Sequence, residues 1–163
     1  MAKMLEAIAN VSMIAAAALV GATLVRDHLA PRRLSLPETP PPGTKLRLPG
    51  HEWSTRSIVL VLESRCRICT ESAPFYRRLV KAAEEQGVQL VAALPQASAD
   101  ARGYLRGLDI AIDDVLQIAP AVIGVQGMPT LIAVDRHGLV KQVWRGRLAP
   151  AEEAAVLASL RGD

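Results

Sequence analysis

Aromatic residues are scarce in this chain. Phe, Trp and Tyr together make up 3% of the 163 residues, so a hydrophobic core must be built from Leu, Val, Ile and Ala. The excess of one charge over the other is also small, because the chain has 19 Lys and Arg and 16 Asp and Glu, which give a net charge of +3. A nucleic-acid-binding surface is typically a basic stripe with interleaved aromatics. We therefore expect no nucleic-acid partner.

Only two cysteines are present, Cys66 and Cys69. Two are too few for a disulfide-rich scaffold or for a zinc site made of four cysteines. Half of the residues are hydrophobic, which excludes a wholly disordered chain. The length suits one well-packed domain rather than two. We expect one folded domain, with additional segments at its termini.

A long apolar run lies near the N-terminus. Residues 7–25 contain no charged side chain, and residues 4–25 contain only Glu6. As a helix rising about 1.5 Å per residue, this run would be about 33 Å long, which matches the hydrocarbon core of a bilayer. We predict a transmembrane signal anchor over residues 1–26, in contact with the membrane through residues 4–25. A cleaved signal peptide and a buried N-terminal helix are the alternatives.

The charges that flank this run favour a C-terminal domain on the cytoplasmic side of the membrane. Lys3 precedes the run, whereas Arg26, Arg32 and Arg33 follow it. The positive-inside rule alone would place the C-terminal domain in the cytoplasm. Long domains translocate largely regardless of such charges, so this rule does not decide the topology.

A proline-rich stretch follows. Five prolines lie between Pro31 and Gly43, and such a composition favours an extended, semi-rigid polyproline II spacer. We predict a linker over residues 27–43 and a folded domain over residues 44–163.

Strand and helix patterns alternate within the folded domain. The apolar runs predict strands over residues 57–62, 88–94, 130–134 and 139–144. Helical patterns lie between the first strand and Gly87, over residues 99–108, and from Pro150 onwards; residues 118–125 remain unassigned. Residues 135–138 are typical of a hairpin turn. The order β-α-β-α-β-β-α predicts an α/β fold with a mixed sheet.

The sequence Cys66-Arg67-Ile68-Cys69 directly follows the first strand and begins a helical stretch. Backbone N–H groups at the start of a helix stabilise a thiolate, and the guanidinium groups of Arg65 and Arg67 act in the same direction. We predict that Cys66 is the attacking nucleophile and that Cys69 is the resolving thiol. The pair would act as a redox-active disulfide without a further cofactor or metal.

Other uses of the cysteine pair stay open. The pair could be half of a zinc site completed by His28, His51 or His137, although none has ligand spacing. It could be a structural disulfide. It could also bind copper through two thiolates, with His137 or Met128 as a further ligand.

Two segments resemble the thioredoxin fold. Residues 58–76, IVLVLESRCRICTESAPFY, resemble its active-site segment, and Gly127-Met128-Pro129-Thr130 resembles its cis-proline loop. Pro74 is similar in placement to the proline that kinks the active-site helix of that fold. Gly146, after the hairpin and just before the last helix, also fits the fold. Together with the predicted anchor and linker, the chain resembles the membrane-tethered TlpA/ResA-like thioredoxins.

The resemblance implies a thioredoxin-like fold, a mixed central sheet flanked by helices, with an inserted element before Pro129. It also implies a cis peptide bond at Pro129, and substrate binding by Met128, Pro129 and Thr130 through antiparallel backbone pairing.

In function, the resemblance implies a membrane-anchored thiol–disulfide oxidoreductase. Its expected partners are protein dithiols and disulfides and a membrane redox partner. The expected location is the bacterial inner membrane, crossed once, with the C-terminal domain in the periplasm. A copper-binding metallochaperone module and an adaptor with a purely structural cysteine pair are the alternatives.

The chain departs from that family at two positions. Arg65 stands where the family has a tryptophan, and Leu60 stands where it has a buried carboxylate. Glu63 or Glu71 could replace this carboxylate as a proton acceptor.

Overall fold

The structure is a computed structural model and describes residues 39–161. The predicted membrane segment, residues 4–25, and the predicted linker up to residue 38 lie outside the described residues. Within residues 39–161, no helix has the length and apolar character needed to cross a membrane.

The described domain is built from five strands, four α-helices and one short 3₁₀ helix. The strands are β1 (Ser57–Val61), β2 (Gln89–Leu94), β3 (Asp114–Gln117), β4 (Thr130–Val134) and β5 (Val140–Arg145). The α-helices are α1 (Arg67–Glu71), α2 (Ala73–Glu85), α3 (Ser98–Gly107) and α4 (Pro150–Ser159), and the 3₁₀ helix is Pro120–Ile123.

The five strands form one mixed sheet in the order β3-β2-β1-β4-β5. β1, β2 and β3 are parallel, whereas β4 is antiparallel to both β1 and β5. At one end of the sheet, Val61 pairs with Ala93 and Thr130; we call this the Val61 end. At the opposite Ser57 end, Ser57 pairs with Gln89 and Val134. The predicted mixed sheet is confirmed.

Strand β1 runs through the centre of the domain and is buried on both faces. Because side chains alternate along a strand, Ile58 and Leu60 belong to the core under the helices, while Val59 and Val61 belong to a second core on the opposite face. A strand buried in this way needs a continuous apolar sequence, which explains the run SIVLV.

The α-helices cover one face of the sheet. Phe75, Leu79 and Ala83 of α2 are buried there together with Val156 of α4 and Leu105 of α3. The helical spacing of the α2 residues places them on one face of the helix.

Residues 44–53 and the 3₁₀ helix cover the other face. Leu46 and Leu48 are buried against Val59 and Val140, and Lys45 forms a β-bridge with Leu139.

The structure differs from the predicted elements in two places. Asp114 begins β3, a strand that the sequence patterns do not predict. This four-residue edge strand is defined by its pairing with β2, which no local pattern reveals. The unassigned segment 118–125 contains the 3₁₀ helix, which lies within the expected insertion before Pro129.

The predicted first helix is divided into α1 and α2 at Ser72. Pro74 lies in the first turn of α2, and its missing N–H cannot donate to a carbonyl of the preceding turn. Ser72 ends α1 instead, with its N–H and its hydroxyl both donating to the carbonyl of Ile68, at 3.0 Å and 2.8 Å.

Candidate active site

Cys66 and Cys69 lie at the Val61 end of the sheet, where the chain leaves β1 and enters α1. They form a disulfide, with their Cα atoms 5.2 Å apart. Cys66 is the N-cap of α1, and the N–H of Cys69 donates a hydrogen bond of 3.1 Å to the Cys66 sulfur. The first N–H groups of a helix have no carbonyl partner within it, and here the N–H of Cys69 is directed at the sulfur of the predicted nucleophile, Cys66.

The two sulfur-bearing residues differ in exposure. Cys66 is half-buried, whereas Cys69 is 0% exposed and is packed in the core under the helices. A macromolecule that approaches from solvent therefore meets Cys66 first.

The cis-proline loop lies beside Cys66. The Met128–Pro129 peptide bond is cis, and the carbonyl oxygen of Met128 is 3.7 Å from the Cys66 sulfur. The N–H of Gly146 donates a 2.7 Å hydrogen bond to the carbonyl of Pro129. The structure therefore brings together the cysteine pair and the loop that the sequence motifs had placed 63 residues apart.

Thr130 has a different environment from Met128. Met128 is half-buried, but Thr130 is fully buried and its hydroxyl donates a 2.7 Å hydrogen bond to the carbonyl of Gly127. The Thr130 side chain therefore braces the loop from within.

A groove of about 550 Å³ runs beside the cis-proline loop. Its walls include Met128, Trp144, Arg145 and Glu152. It offers space for an extended segment along the loop that contacts Cys66, with apolar and charged side chains on its walls.

The two arginines that flank Cys66, Arg65 and Arg67, are exposed, and Arg67 pairs with an acidic side chain. Its guanidinium lies 3.7 Å from the carboxylate of Glu71, one helical turn further along α1. Arg147, in the loop before α4, also donates to Glu71, at 3.1 Å. Arg147 was not predicted from the sequence, because no local pattern connects it with α1.

Among residues 39–161, no carboxylate lies beneath the disulfide. Leu60 is 0% exposed and contributes an aliphatic side chain to the core that contains Cys69. Over residues 39–161 every Asp and Glu is at least partly exposed. Glu71 is directed to its two arginines, and Glu63 contacts Cys66 only through its backbone, whose carbonyl accepts the Cys66 N–H at 3.1 Å.

Polar side chains flank the cysteines on the side of α3. Thr70 and Tyr104 are joined by a hydrogen bond of 3.2 Å between their hydroxyl groups, and Gln96 donates to Ser64 at 2.9 Å. The sequence gives no signal for either contact, since each joins residues more than 30 positions apart.

The described histidines lie away from the cysteines. His137 follows β4 in the turn at the Ser57 end, and His51 contacts Asp114, the first residue of β3, with Nδ1 3.0 Å from its carboxylate. The alternatives in which either histidine completes a metal site with the cysteines are therefore wrong; His28 lies outside the described residues. Within residues 39–161, no three His, Cys, Asp or Glu residues are grouped as metal ligands would be.

Comparisons with known proteins find similarity in structure alone. No protein-family model matches the sequence, and no curated protein matches it. A thiol-disulfide isomerase from Corynebacterium glutamicum is 18% identical, with a TM-score of 0.59, over 74% of this chain and 97% of that one. A thioredoxin family thiol:disulfide interchange protein from Chlorobium tepidum is 18% identical, with a TM-score of 0.55, over 76% and 97%.

The thioredoxin domain of a thiol-disulfide oxidoreductase from Bacteroides vulgatus is also similar in structure. It is 13% identical, with a TM-score of 0.58, over 76% of this chain and all of the other. At these identities the likeness shows the fold. The protein therefore has a domain of the thioredoxin fold, as the resemblance predicted.

Proposed function

We propose that this protein is a membrane-anchored thiol–disulfide oxidoreductase that exchanges disulfides with extracytoplasmic protein substrates. One observation carries the proposal: the Cys66 sulfur is half-buried and lies 3.7 Å from the Met128 carbonyl, while its disulfide partner, Cys69, is inaccessible behind it. In this arrangement the Cys66 sulfur can react with a substrate, whereas the buried Cys69 sulfur can react only with Cys66, in the second step.

In the reducing direction, the Cys66 thiolate attacks one sulfur of a substrate disulfide. The substrate S–S bond breaks, a mixed disulfide with Cys66 forms, and the departing substrate thiolate takes a proton. Cys69 then loses its proton and attacks the Cys66 sulfur, which releases the second substrate thiol. The substrate gains two electrons and two protons, and Cys66 and Cys69 return to the disulfide. The oxidising direction is the reverse.

The surrounding backbone fits both steps. The Cys69 N–H that donates to the Cys66 sulfur would also stabilise the thiolate. An extended substrate segment could pair with the backbone of Met128, next to Pro129, in the manner of an added strand. The Cys66–Cys69 disulfide of the oxidised form is the bond that the second step would restore.

The location is proposed from the sequence. Residues 4–25 would cross the inner membrane, residues 27–43 would space the domain from it, and the domain would act in the periplasm. A dithiol tethered in this way needs a source or sink of electrons, for which we propose a membrane redox partner.

Disulfide exchange is tested with the full-length chain in mild detergent. We expect it to accelerate the reduction of insulin disulfides by dithiothreitol, and Cys66→Ser to abolish this activity. Cys69→Ser should instead accumulate a mixed disulfide with the substrate, because the first step survives and the second is lost. A variant with both Cys66→Ser and Cys69→Ser serves as the control. If the unaltered chain reduced insulin no faster than this variant, the proposal would be overturned.

Topology is tested separately. Protease added to spheroplasts should remove the folded domain while cytoplasmic markers survive, and the N-terminal fragment should remain with the membrane after alkaline extraction. Protection of the domain in intact spheroplasts would place it in the cytoplasm, as the flanking charges favour.

A further inference from the structure

Glu71 connects two arginines from segments that adjoin the cysteine pair. Its carboxylate lies 3.7 Å from the guanidinium of Arg67 and accepts a 3.1 Å hydrogen bond from Arg147. Arg67 is the neighbour of Cys66 in the chain, and Arg147 follows Gly146, which holds the cis-proline loop. One anion is therefore shared by two cations whose segments lie next to the site.

The position of Glu71 on the helix determines the direction in which it acts on Arg67. Arg67 is the first residue of α1 and Cys66 is its N-cap, so the sulfur lies at the start of the helix. Glu71 is one turn further along, about 5.4 Å in the direction of the C-terminus. The ion pair therefore draws the Arg67 guanidinium away from Cys66. Arg67 is 86% exposed, so little else constrains this side chain.

We propose that Glu71 sets the reduction potential of the Cys66–Cys69 pair by holding Arg67 and Arg147 away from the Cys66 sulfur. Glu71 is thus a positioning residue that acts through the two arginines. The inference rests on the proposed function, since it concerns the same cysteine pair.

The redox step explains why these charges matter. Reduction of the disulfide adds two electrons and one proton when Cys66 remains a thiolate: the S–S bond breaks to give the Cys66 thiolate and the Cys69 thiol. A cation close to Cys66 stabilises only this reduced, anionic product. Stabilising the reduced form makes a dithiol more oxidising. By holding the cations back, Glu71 keeps the pair more reducing.

Other charged groups lie at this end of the sheet, and a Glu71 variant leaves them chemically unaltered. Glu63 and Arg65 precede Cys66 in the chain, and Arg145 ends β5. Glu152 accepts the N–H of Ala149 at 2.8 Å, at the start of α4. Arg78 and Glu153 form an ion pair that lines the same cleft as Glu71 and Arg147. A comparison of Glu71 variants therefore includes one in which the two arginines are removed.

The test is the equilibrium of the full-length chain, in mild detergent, with glutathione buffers. Two glutathione molecules reduce the protein disulfide and leave as one oxidised glutathione. For Glu71→Gln we expect the equilibrium constant for reduction to rise about three- to tenfold, which corresponds to a potential about 14–30 mV less negative. The pH profile of Cys66 alkylation should shift to lower pH. Glu85→Gln, an exposed carboxylate at the far end of α2, removes the same charge and should change neither value.

A second comparison separates action through the arginines from the direct effect of the carboxylate. Glu71→Gln is also introduced into a variant that already carries Arg67→Gln and Arg147→Gln. There it should change the logarithm of the equilibrium constant by less than half of the change that it causes in the unaltered chain. An unchanged potential in Glu71→Gln, or an equal effect in both backgrounds, would overturn the inference. These outcomes differ from failure of the proposed function, in which the unaltered chain neither equilibrates with glutathione nor reduces insulin.

Discussion

The hydroxyl of Thr130 donates a 2.7 Å hydrogen bond to the carbonyl of Gly127. The bond spans Met128 and Pro129, so it closes the cis-proline loop from the buried side. Thr130 is also the first residue of β4 and pairs with Val61 of β1. The strand that leads to the cysteines and the loop that contacts Cys66 are thereby joined at a single residue.

Removing this hydroxyl should weaken the loop. Thr130→Val keeps the shape of the side chain but loses the donor, and we expect a loss of about 1–2 kcal/mol in the free energy of unfolding. Insulin reduction should also slow, because the Met128 backbone is held less firmly. Thr130→Ser retains the donor and serves as the control. Urea unfolding of the oxidised protein measures the stability, and a midpoint for Thr130→Val equal to that of the unaltered chain would contradict the role of the bond.

Gly138 lies in the turn between β4 and β5, with φ at +76°, beneath the ring of Trp53. A Cβ there would overlap the indole, whose Nε1–H donates to the Leu46 carbonyl at 3.0 Å. Gly138→Ala should therefore cost more than the roughly 1 kcal/mol of a left-handed backbone alone, and we expect about 2–4 kcal/mol.

Gly87 provides a matched control for this substitution. Its φ is +61°, but no atom lies within 4 Å of the site of a Cβ. Gly87→Ala should thus show only the backbone cost, and thermal or urea unfolding compares the two variants. Similar losses at both positions would mean that the Trp53 ring moves aside easily.

Tyr76 is 1% exposed, and its hydroxyl makes no hydrogen bond of good geometry within the described residues. Burial raises the pKa of this phenol far above its ordinary value, and the side chain of Ser72, whose own hydroxyl donates to the Ile68 carbonyl, lowers it only in part. A poorly bonded buried hydroxyl contributes little to stability, so Tyr76→Phe should leave the free energy of unfolding unchanged within about 0.5 kcal/mol or raise it. Tyr76→Ala, which opens a cavity, should lose about 3–5 kcal/mol. A clear loss in Tyr76→Phe would show that the hydroxyl has a partner.

Much of the fold was predictable because its strongest signals are local. The apolar run of β1, Gly87 after α2 and Pro150 at the start of α4 each have a physical reason to stand where they do. β3 was not predictable, because four residues beginning with Asp114 become a strand only by pairing with β2. The break at Ser72 follows from Pro74, but the sequence alone did not show that it divides the helix in two.

The same distinction applies to the site. The C-x-x-C motif and Pro129 were recognisable since each is a compact pattern with a definite chemistry. Arg147, Tyr104 and Gln96 contact Glu71, Thr70 and Ser64, which are close to the cysteines in the chain, and these contacts depend on the folded chain. Arg67 follows Cys66 in the sequence, but its pairing with Glu71 is visible only in the structure.

The carboxylate of Asp135 organises the turn between β4 and β5. It accepts the N–H of His137 at 2.9 Å and that of Leu139 at 3.0 Å. Desolvation acts to raise the pKa of Asp135, but these two hydrogen bonds, with the nearby charges of His137 and Lys141, outweigh it and lower the pKa. The ionised form is therefore favoured by folding.

The sign of the resulting pH dependence follows from this lowered pKa. The contribution of Asp135 to stability is fully present above the unfolded value of 3.8 and is lost as the pH falls through the lower, folded pKa. Asp135→Ala should therefore unfold at lower urea concentration than the unaltered chain at pH 7, and the gap should close as the pH falls below about 4. Asp113→Ala, which removes an exposed carboxylate just before β3, should show a smaller gap at pH 7. A gap for Asp135→Ala that stayed constant down to pH 2.5 would show that the turn does not depend on the charge.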